Sequence, residues 1–277
     1  MLPFVKTQGL GNDFILVEES LAQGSDPADL ARRICDRRLG VGADGLIFWK
    51  PGADAFQLRI INSDGSEAEC SGNGLRCVAA YLFGAGHASD ADLRLQTVSG
   101  IYTLRRDGER YSADMGQPTL DPSKIPFVPD TTDTPLVRIV DYPLEVGGRT
   151  IRVTACATGN PHCSIFVDAI DSEVVNTLGP QLETHPAFPN KTNVEFIHIL
   201  NRTEIEVAFW ERGAGRTPAS GTGSCGATVA SILNNRTDRK ITVHAENGDL
   251  EVEWGADDRL TLISTASVVA EGQYVFD

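Results

Sequence analysis

Two short glycine-rich phrases, one in each half of the chain, contain the residues best suited to chemistry. Ser71-Gly72-Asn73-Gly74 is echoed by Ser220-Gly221-Thr222-Gly223, and each phrase separates a strand-like run from a helix-like run. The start of a helix exposes N–H groups at the positive end of the helix dipole, and glycines let an anion approach that backbone closely. The two phrases therefore predict two sites for a carboxylate or phosphate group.

A polar residue that could contact a ligand precedes the serine of each phrase at the same spacing. It is Asn62 in the first half and Glu211 in the second. A single glycine-rich turn is more often structural than functional. Two copies with matching surroundings instead favour a duplicated fold with one site between its halves.

Further polar candidates lie beside glycine or proline. They are Asn12, Asn160, His162, Asn193 and Arg212. Each also has an ordinary structural interpretation: the asparagines as turn formers, His162 as a hydrogen-bonded core histidine, and Arg212 with Glu211 as a surface pair.

The pattern along the chain predicts two α+β halves of similar plan. Helices are predicted at Arg76–Phe83 and Ser224–Leu233, directly after the glycine phrases, and another begins at Asp26-Pro27. Five prolines between Pro118 and Pro135 mark the domain crossover. The last strand, Val268–Phe276, is predicted to pair back with the first half. The domains are accordingly placed at residues 1–118 plus 267–277 and at 119–266.

Composition narrows the function classes. The 277 residues are 41% hydrophobic and carry a net charge of −14, which suits a soluble globular protein and argues against a general nucleic-acid binder. We expect no signal peptide and no membrane span, and hence a cytoplasmic protein. The six cysteines form no CxxC pair and no zinc-like cluster, which favours thiols over disulfides and predicts no metal site.

The order of the motifs identifies a family. The chain resembles the diaminopimelate epimerases across nearly its whole length. The matching segments are Gly9-Leu10-Gly11-Asn12-Asp13-Phe14, Arg38-Leu39-Gly40-Val41-Gly42-Ala43-Asp44-Gly45, Asn62-Ser63-Asp64-Gly65-Ser66, Gly72-Asn73-Gly74-Leu75-Arg76-Cys77, Gly159-Asn160-Pro161-His162, Asn193-Val194, Glu211-Arg212-Gly213-Ala214-Gly215 and Gly221-Thr222-Gly223.

The resemblance implies a fold and a reaction. The fold is α+β: two pseudo-symmetric domains, each a mostly antiparallel sheet wrapped around a central helix. The reaction interconverts LL- and meso-diaminopimelate without a cofactor, through two acid/base residues on opposite sides of the α-carbon. The resemblance also implies a homodimer.

The resemblance also assigns the site. The α-carboxylate would lie on the two helix N-termini, at Gly72, Asn73, Gly221 and Thr222. The distal end of the substrate would be held by Asn62, Asn193, Glu211 and Arg212, with Asn12 and Asn160 nearby. His162 and Glu211 would set the protonation of the two acid/base residues.

The chain departs from the family at the two acid/base positions. Both are cysteine in the family, whereas Ser71 and Ser220 stand here, and the adjacent Cys70 does not restore the pattern. A thiol reaches the thiolate near neutral pH, but an alcohol does so only when a neighbour takes its proton. Three hypotheses follow: a diaminopimelate epimerase, another isomerase, racemase or dehydratase of the same fold, and a catalytically impaired amino-acid binder.

Overall fold

The computed structural model describes residues 1–89, 92–129 and 136–275. The chain divides into two compact units, Met1–Asp114 with Ile263–Asp277, and Met115–Leu262. Within the described ranges, no helix has both the length and the apolar character that a membrane crossing requires.

Eighteen strands and four α-helices are assigned in the described residues. Up to Gly116 they are β1 Leu2–Gly9, β2 Asn12–Glu18, α1 Pro27–Ile34, β3 Gly45–Lys50, β4 Phe56–Asn62, β5 Glu67–Ala68, α2 Gly72–Gly84, β6 Leu93–Thr97, β7 Gly100–Asp107 and β8 Arg110–Gly116. Then follow β9 Ile139–Val146, β10 Arg149–Ala157, β11 Pro161–Phe166, α3 Ser172–Glu183, β12 Asn193–Ile199, β13 Glu204–Glu211, β14 Gly215–Thr217, α4 Gly221–Leu233, β15 Lys240–Ala245, β16 Gly248–Trp254, β17 Leu260–Thr265 and β18 Ser267–Tyr274.

The first unit is a mixed sheet in which antiparallel pairs predominate. β1 pairs with β18 and with β2, β2 runs parallel to β3, and β3 is antiparallel to β4. β4 is antiparallel to the short β5 and parallel to β6, and β6, β7 and β8 form an antiparallel meander. Helix α1 connects the parallel strands β2 and β3, as parallel neighbours require a crossover.

The second unit repeats this plan strand for strand. β10 pairs with β9 and β11, β11 runs parallel to β12, and β12 is antiparallel to β13. β13 is antiparallel to the short β14 and parallel to β15, which is antiparallel to β16. Helix α3 takes the place of α1. The predicted duplication of an α+β plan is therefore confirmed.

Helices α2 and α4 are the central helices of the two units. Nearly every residue of each is buried, and α4 packs on β10, β11, β12 and β16. The polar side chains of α4 are buried without penalty because Ser224, Thr228 and Ser231 each donate to the carbonyl four residues earlier, at 2.7–2.8 Å.

Both central helices begin earlier than their sequence pattern predicts. The apolar pattern begins at Arg76 and Ser224, whereas α2 begins at Gly72 and α4 at Gly221. Glycine and asparagine have poor helix propensity, so the pattern conceals the first turn. The glycine phrases are thus themselves helical, which aims their N–H groups along the helix axis.

The predicted return of the last strand is confirmed. β18 pairs antiparallel with β1 from Leu2–Tyr274 to Gln8–Ser267. Phe276 of the predicted strand and Pro135 of the predicted crossover lie outside the described residues. The strand β1 itself was missed, because its sequence Leu-Pro-Phe-Val-Lys-Thr-Gln-Gly lacks regular alternation.

Candidate active site

Ser71 is the N-cap of α2. Its backbone is extended, with φ −141° and ψ 117°, and its Oγ accepts a hydrogen bond from the N–H of Gly74 at 3.1 Å. A serine oxygen in this position satisfies one of the N–H groups that the first helical turn leaves without a partner. The N–H groups of Gly72 and Asn73 lie nearest the open end of the helix, where an anion binds best.

Ser220 caps α4 with the same geometry. Its φ is −138° and its ψ 125°, and its Oγ accepts from the N–H of Gly223 at 3.1 Å. A Cβ on Gly223 would lie 2.8 Å from the Phe209 ring and 3.0 Å from Ser220 Cβ, so only glycine fits there. The two serines therefore have a structural role, capping, in addition to the acid/base role assigned by the resemblance.

Glu211 ends β13, and its environment includes both Ser220 and His162. Burial raises the pKa of the Glu211 carboxyl, while hydrogen bonding from Ser220 and the charge of His162 oppose that rise. A carboxylate whose pKa is raised is a better proton acceptor near neutral pH. Within the second unit, three of the four predicted catalytic residues are thus in one environment.

His162 is completely buried, and both of its ring nitrogens have polar partners. Nδ1 lies 2.6 Å from Oε1 of Glu195, and Nε2 lies 2.8 Å from Oδ1 of Asn160. A Cβ on Gly226 of α4 would lie 2.8 Å from Cγ of His162, so the ring is packed directly against the central helix. His162 and Asn160 are among the residues predicted from the sequence, whereas Glu195 is not.

Asn193 and Arg212 are joined through the backbone. The N–H of Arg212 donates to Oδ1 of Asn193 at 2.9 Å, and Nδ2 of Asn193 donates to the carbonyl of Pro161 at 2.9 Å. The N–H of Gly213 donates to Oε1 of Glu183 at 3.1 Å. The turn after β13 is therefore held on two sides, while the Arg212 side chain stays exposed and its NH1 donates to the Asn190 carbonyl at 3.3 Å.

In the first unit, Asn73 and Asn12 lie in one hydrogen-bonded chain. Nδ2 of Asn73 donates to Oδ1 of Asn12 at 3.3 Å, and Nδ2 of Asn12 donates to Oδ2 of Asp44 at 2.7 Å. The completely buried Arg76 donates to Oδ1 of Asn73 and to the Gly72 carbonyl. This chain of hydrogen bonds thus fixes the side-chain amides of Asn12 and Asn73, two predicted substrate-binding residues, at the start of α2. Arg76 and Asp44 were within the quoted motifs but had no predicted role.

Asp44 is itself held by charge. Its Oδ1 lies 2.7 Å from NH2 of Arg37, which also pairs with both carboxylate oxygens of Asp13, and Lys6 Nζ lies 3.1 Å from Asp13. Burial raises the pKa of Asp13, but Arg37 and Lys6 outweigh it, so the net pKa is lowered. Arg37 therefore bridges the two carboxylates, and this keeps Asp44 facing the Asn12 amide.

Asn62 lies exposed at the end of β4. Its Nδ2 donates to Oγ of Ser66 at 2.9 Å, and Ser66 in turn donates to Oδ1 of Asp64 at 2.6 Å. The Asn62 backbone N–H donates to the Ser66 carbonyl at 2.8 Å. A tight turn therefore orients the amide of Asn62.

The cysteines beside the glycine phrases are poor substitutes for the missing thiols. Burial raises the pKa of Cys70, whose thiol lies among the hydroxyls of Tyr102, Ser99 and Thr97. Burial raises the pKa of Cys77 in α2 to about 12. Cys35, Cys70, Cys77, Cys156 and Cys163 are present as thiols, as predicted. Among the described residues, no group of three or more His, Cys, Asp or Glu side chains is arranged to hold a metal ion.

The predicted site residues fall into two sets, one in each unit. The first unit contains Asn12, Asn62, Ser71, Gly72 and Asn73, and the second contains Asn160, His162, Asn193, Glu211, Arg212, Ser220, Gly221 and Thr222. In each unit, the predicted residues lie at the N-terminus of the central helix and at strand ends and turns.

Solved structures share this architecture. A protein from Pseudomonas aeruginosa described as a predicted epimerase superposes with a TM-score of 0.67 at 17% identity, with 100% of each chain covered. A hydroxyproline epimerase from Agrobacterium vitis gives a TM-score of 0.67 at 13% identity over 99% of this chain and 90% of that one. The class is therefore the two-domain epimerase-like fold.

Sequence comparison defines the family. The family model for diaminopimelate epimerase matches residues 4–120 and 154–274. Curated diaminopimelate epimerases are 45% identical in Pelotomaculum thermopropionicum, over 99% of each chain, and 44% identical in Synechocystis sp., over 98% of each chain. The chain belongs to the diaminopimelate epimerase family.

Proposed function

We propose that this protein is a cofactor-independent isomerase that interconverts LL- and meso-diaminopimelate, an intermediate of lysine and cell-wall precursor synthesis. Family membership over the whole chain supports the substrate and the reaction type. The distal-end residues Asn62, Asn193, Glu211 and Arg212 assigned by the resemblance are all present.

The proposed reaction moves one proton at the α-carbon. One group removes the α-proton, the substrate carboxylate spreads the resulting negative charge, and a second group returns a proton from the opposite face. N–H groups at a helix N-terminus stabilise that charge electrostatically. Gly72 and Asn73 of α2, and Gly221 and Thr222 of α4, are proposed to bind this carboxylate.

The observation that best supports a working acid/base group is the environment of Ser220. Its neighbour Glu211 has a raised pKa, and hydrogen bonding from Ser220 acts on the Glu211 carboxyl. A serine can transfer a proton when such a neighbour accepts its own. We propose that Ser220 acts with Glu211, that Ser71 is the second acid/base residue, and that His162 contributes to their protonation.

The test is exchange of the α-proton for deuterium. LL- and meso-diaminopimelate are incubated separately with the protein in deuterated water under reducing conditions and followed by proton NMR. Exchange with interconversion supports the proposal. Exchange of one isomer without interconversion contradicts the two-group reaction, and no exchange contradicts activity in the Ser/Ser form.

A double variant carrying Ser71→Cys and Ser220→Cys separates the remaining outcomes. When wild type is inactive and the double variant exchanges the α-proton, the binding site is that of an epimerase and only the acid/base pair is lacking. When both are inactive but bind diaminopimelate, the protein is an amino-acid binder instead.

Assembly and location are also proposals. We propose a cytoplasmic homodimer that needs neither nucleic acid nor membrane. The proposed domain boundaries, 118/119 and 266/267, each lie four residues after the corresponding boundary of the two compact units. Val268 and Val269 of β18 are 40% and 56% exposed, and exposed apolar side chains there support a subunit interface at this strand. Light scattering coupled to size-exclusion chromatography decides between monomer and dimer.

A further inference from the structure

Glu195 is a completely buried carboxylate at the centre of the second unit. It lies on β12, two residues after Asn193, and 0% of its surface is exposed. Its Oε1 faces Nδ1 of His162 at 2.6 Å, and its Oε2 accepts from Oγ of Ser164 at 2.9 Å. A buried carboxylate is costly unless such partners compensate it, so its presence calls for a role.

The sheet register explains why these groups meet. β11 and β12 run parallel with His162 opposite Asn193 and Ser164 opposite Glu195. Residues two apart on a strand share a face, so His162, Ser164 and Glu195 all lie beneath α4. Gly226 of α4 has no side chain, and the ring of His162 occupies the space that one would need.

The hydrogen-bonded chain runs outward from Glu195. His162 Nε2 lies 2.8 Å from Oδ1 of Asn160, and Asn160 is only partly buried. An acceptor oxygen therefore stands at each ring nitrogen, and a histidine satisfies two acceptors only when both nitrogens carry hydrogen. A ring that carries both hydrogens donates one to the Glu195 carboxylate and one to Asn160. Glu211, at the end of β13, also lies close enough to the ring for their charges to interact.

We infer that Glu195 is a positioning residue that orients the amide of Asn160 through His162. Nδ1–H donates to Glu195 and Nε2–H donates to Oδ1 of Asn160, which turns the NH2 group of Asn160 away from the ring. Asn160 then presents a donor to an oxygen of the bound amino acid. This inference rests on the proposed function in taking Asn160 as a substrate-binding residue.

The protonation of the ring is tested by nitrogen-15 NMR of protein labelled at histidine, with His162→Gln used for assignment. At neutral pH we expect both ring nitrogens of His162 to carry hydrogen in wild type and only one in Glu195→Gln. Glu206→Gln is the matched control, because Glu206 pairs with the separate His198 at 3.2 Å. A singly protonated ring in wild type, or an unchanged ring in Glu195→Gln, would overturn the inference.

The effect on ligand binding is tested by calorimetry with diaminopimelate. Hydrogen bonds to charged groups are strong enough that Glu195→Gln should weaken binding about tenfold, whereas Glu206→Gln should not. In an Asn160→Ala background the same change should have no further effect, because the amide it orients is absent. Additive losses in the double variant would contradict an action through Asn160.

Two outcomes are kept apart by this design. When wild type does not bind diaminopimelate, the proposed function fails, and the NMR comparison still decides the role of Glu195. When Glu195→Gln does not fold, Ser164→Ala removes the hydrogen bond to the other carboxylate oxygen. A smaller loss of binding in the same direction supports the inference, and unchanged binding overturns it.

Discussion

The backbone N–H of Arg212 donates to the side-chain oxygen of Asn193 at 2.9 Å, and this bond fixes the turn after β13. Asn193→Ala removes both this bond and the one to Pro161. Because this leaves the buried Pro161 carbonyl and the partly buried Arg212 N–H without these bonds, we expect a loss of about 2–4 kcal/mol in unfolding free energy and a higher KM for diaminopimelate. Denaturant unfolding and steady-state kinetics measure the two effects.

Asn190→Ala is the control for that variant. Asn190 meets Arg212 through its carbonyl and its side chain is exposed, so the change should stay within about 0.5 kcal/mol. Equal stability losses in the two variants would contradict the role given to the Asn193 amide.

The capping and acid/base roles of the serines can be separated. Ser71→Ala and Ser220→Ala should each lower the unfolding free energy by about 1 kcal/mol through loss of the cap. Each should also slow α-proton exchange by about 10²–10⁴-fold. Asp171→Ala removes the cap of α3, where Asp171 accepts from Glu173 N–H at 2.7 Å, and should cost similar stability without loss of exchange. Thermal unfolding and exchange rates are compared across the three variants. Exchange that falls equally in Asp171→Ala would show that capping alone accounts for the serine effect.

The stability of the protein should respond to pH through Glu211. Its pKa is raised because burial disfavours the charged form. The native state therefore holds this proton more tightly than the unfolded chain. The stability it contributes is complete below the unfolded pKa, about 4.3, and is lost as pH rises through the folded pKa. Glu211→Gln cannot ionise. The unfolding free energy of this variant, taken relative to that of wild type, should therefore increase as pH rises. Its α-proton exchange should be slower than that of wild type.

Asp141→Asn gives the opposite sign. Hydrogen bonding and charge from Arg152 lower the pKa of Asp141, so its contribution is present above the unfolded pKa and is lost as pH falls through the folded one. The unfolding free energy of Asp141→Asn should therefore decrease relative to that of wild type as pH rises. Denaturant midpoints measured from about pH 2 to 8 test both variants, and parallel curves for Glu211→Gln and wild type would refute the assignment.

Asp44 should affect substrate binding through Asn12. Asp44→Asn weakens the hold on the Asn12 amide and on Arg37, so we expect KM for diaminopimelate to rise by more than kcat falls. Asp92→Asn, at an exposed pair with Arg105, should leave both constants unchanged. Steady-state kinetics of the two variants make the comparison. A fall in kcat at constant KM for Asp44→Asn would contradict a positioning role.

The duplication of the fold and the placement of the glycine phrases could be predicted from the sequence, because both depend on local patterns. Periodicity indicates the buried helix after each phrase, and the spacing of Asn62 and Glu211 indicates equivalent strand ends. The apolar pattern by itself does not reach the first helical turns, since glycine and asparagine carry no helical pattern, and only the anion-binding character of the glycine phrases placed the helix starts there.

The residues that support the site were missed for a different reason. Glu195 and Asp44 act through partners 33 and 32 positions away in the sequence, and only the strand register brings them together. A charged residue in the apolar run Asn193–Ile199 was the available signal for Glu195.

The pairing of β18 with β1 also determines the order in which the two units can complete their folding during translation. The first unit needs β18, Ser267–Tyr274, to complete its sheet, whereas the second is built from one continuous segment, Met115–Leu262. On a ribosome the chain emerges from its N-terminus and domains fold as they become complete. The half that is translated first is therefore the half that finishes folding last, and its strand β1 stays without its β18 partner until Ser267–Tyr274 has been translated.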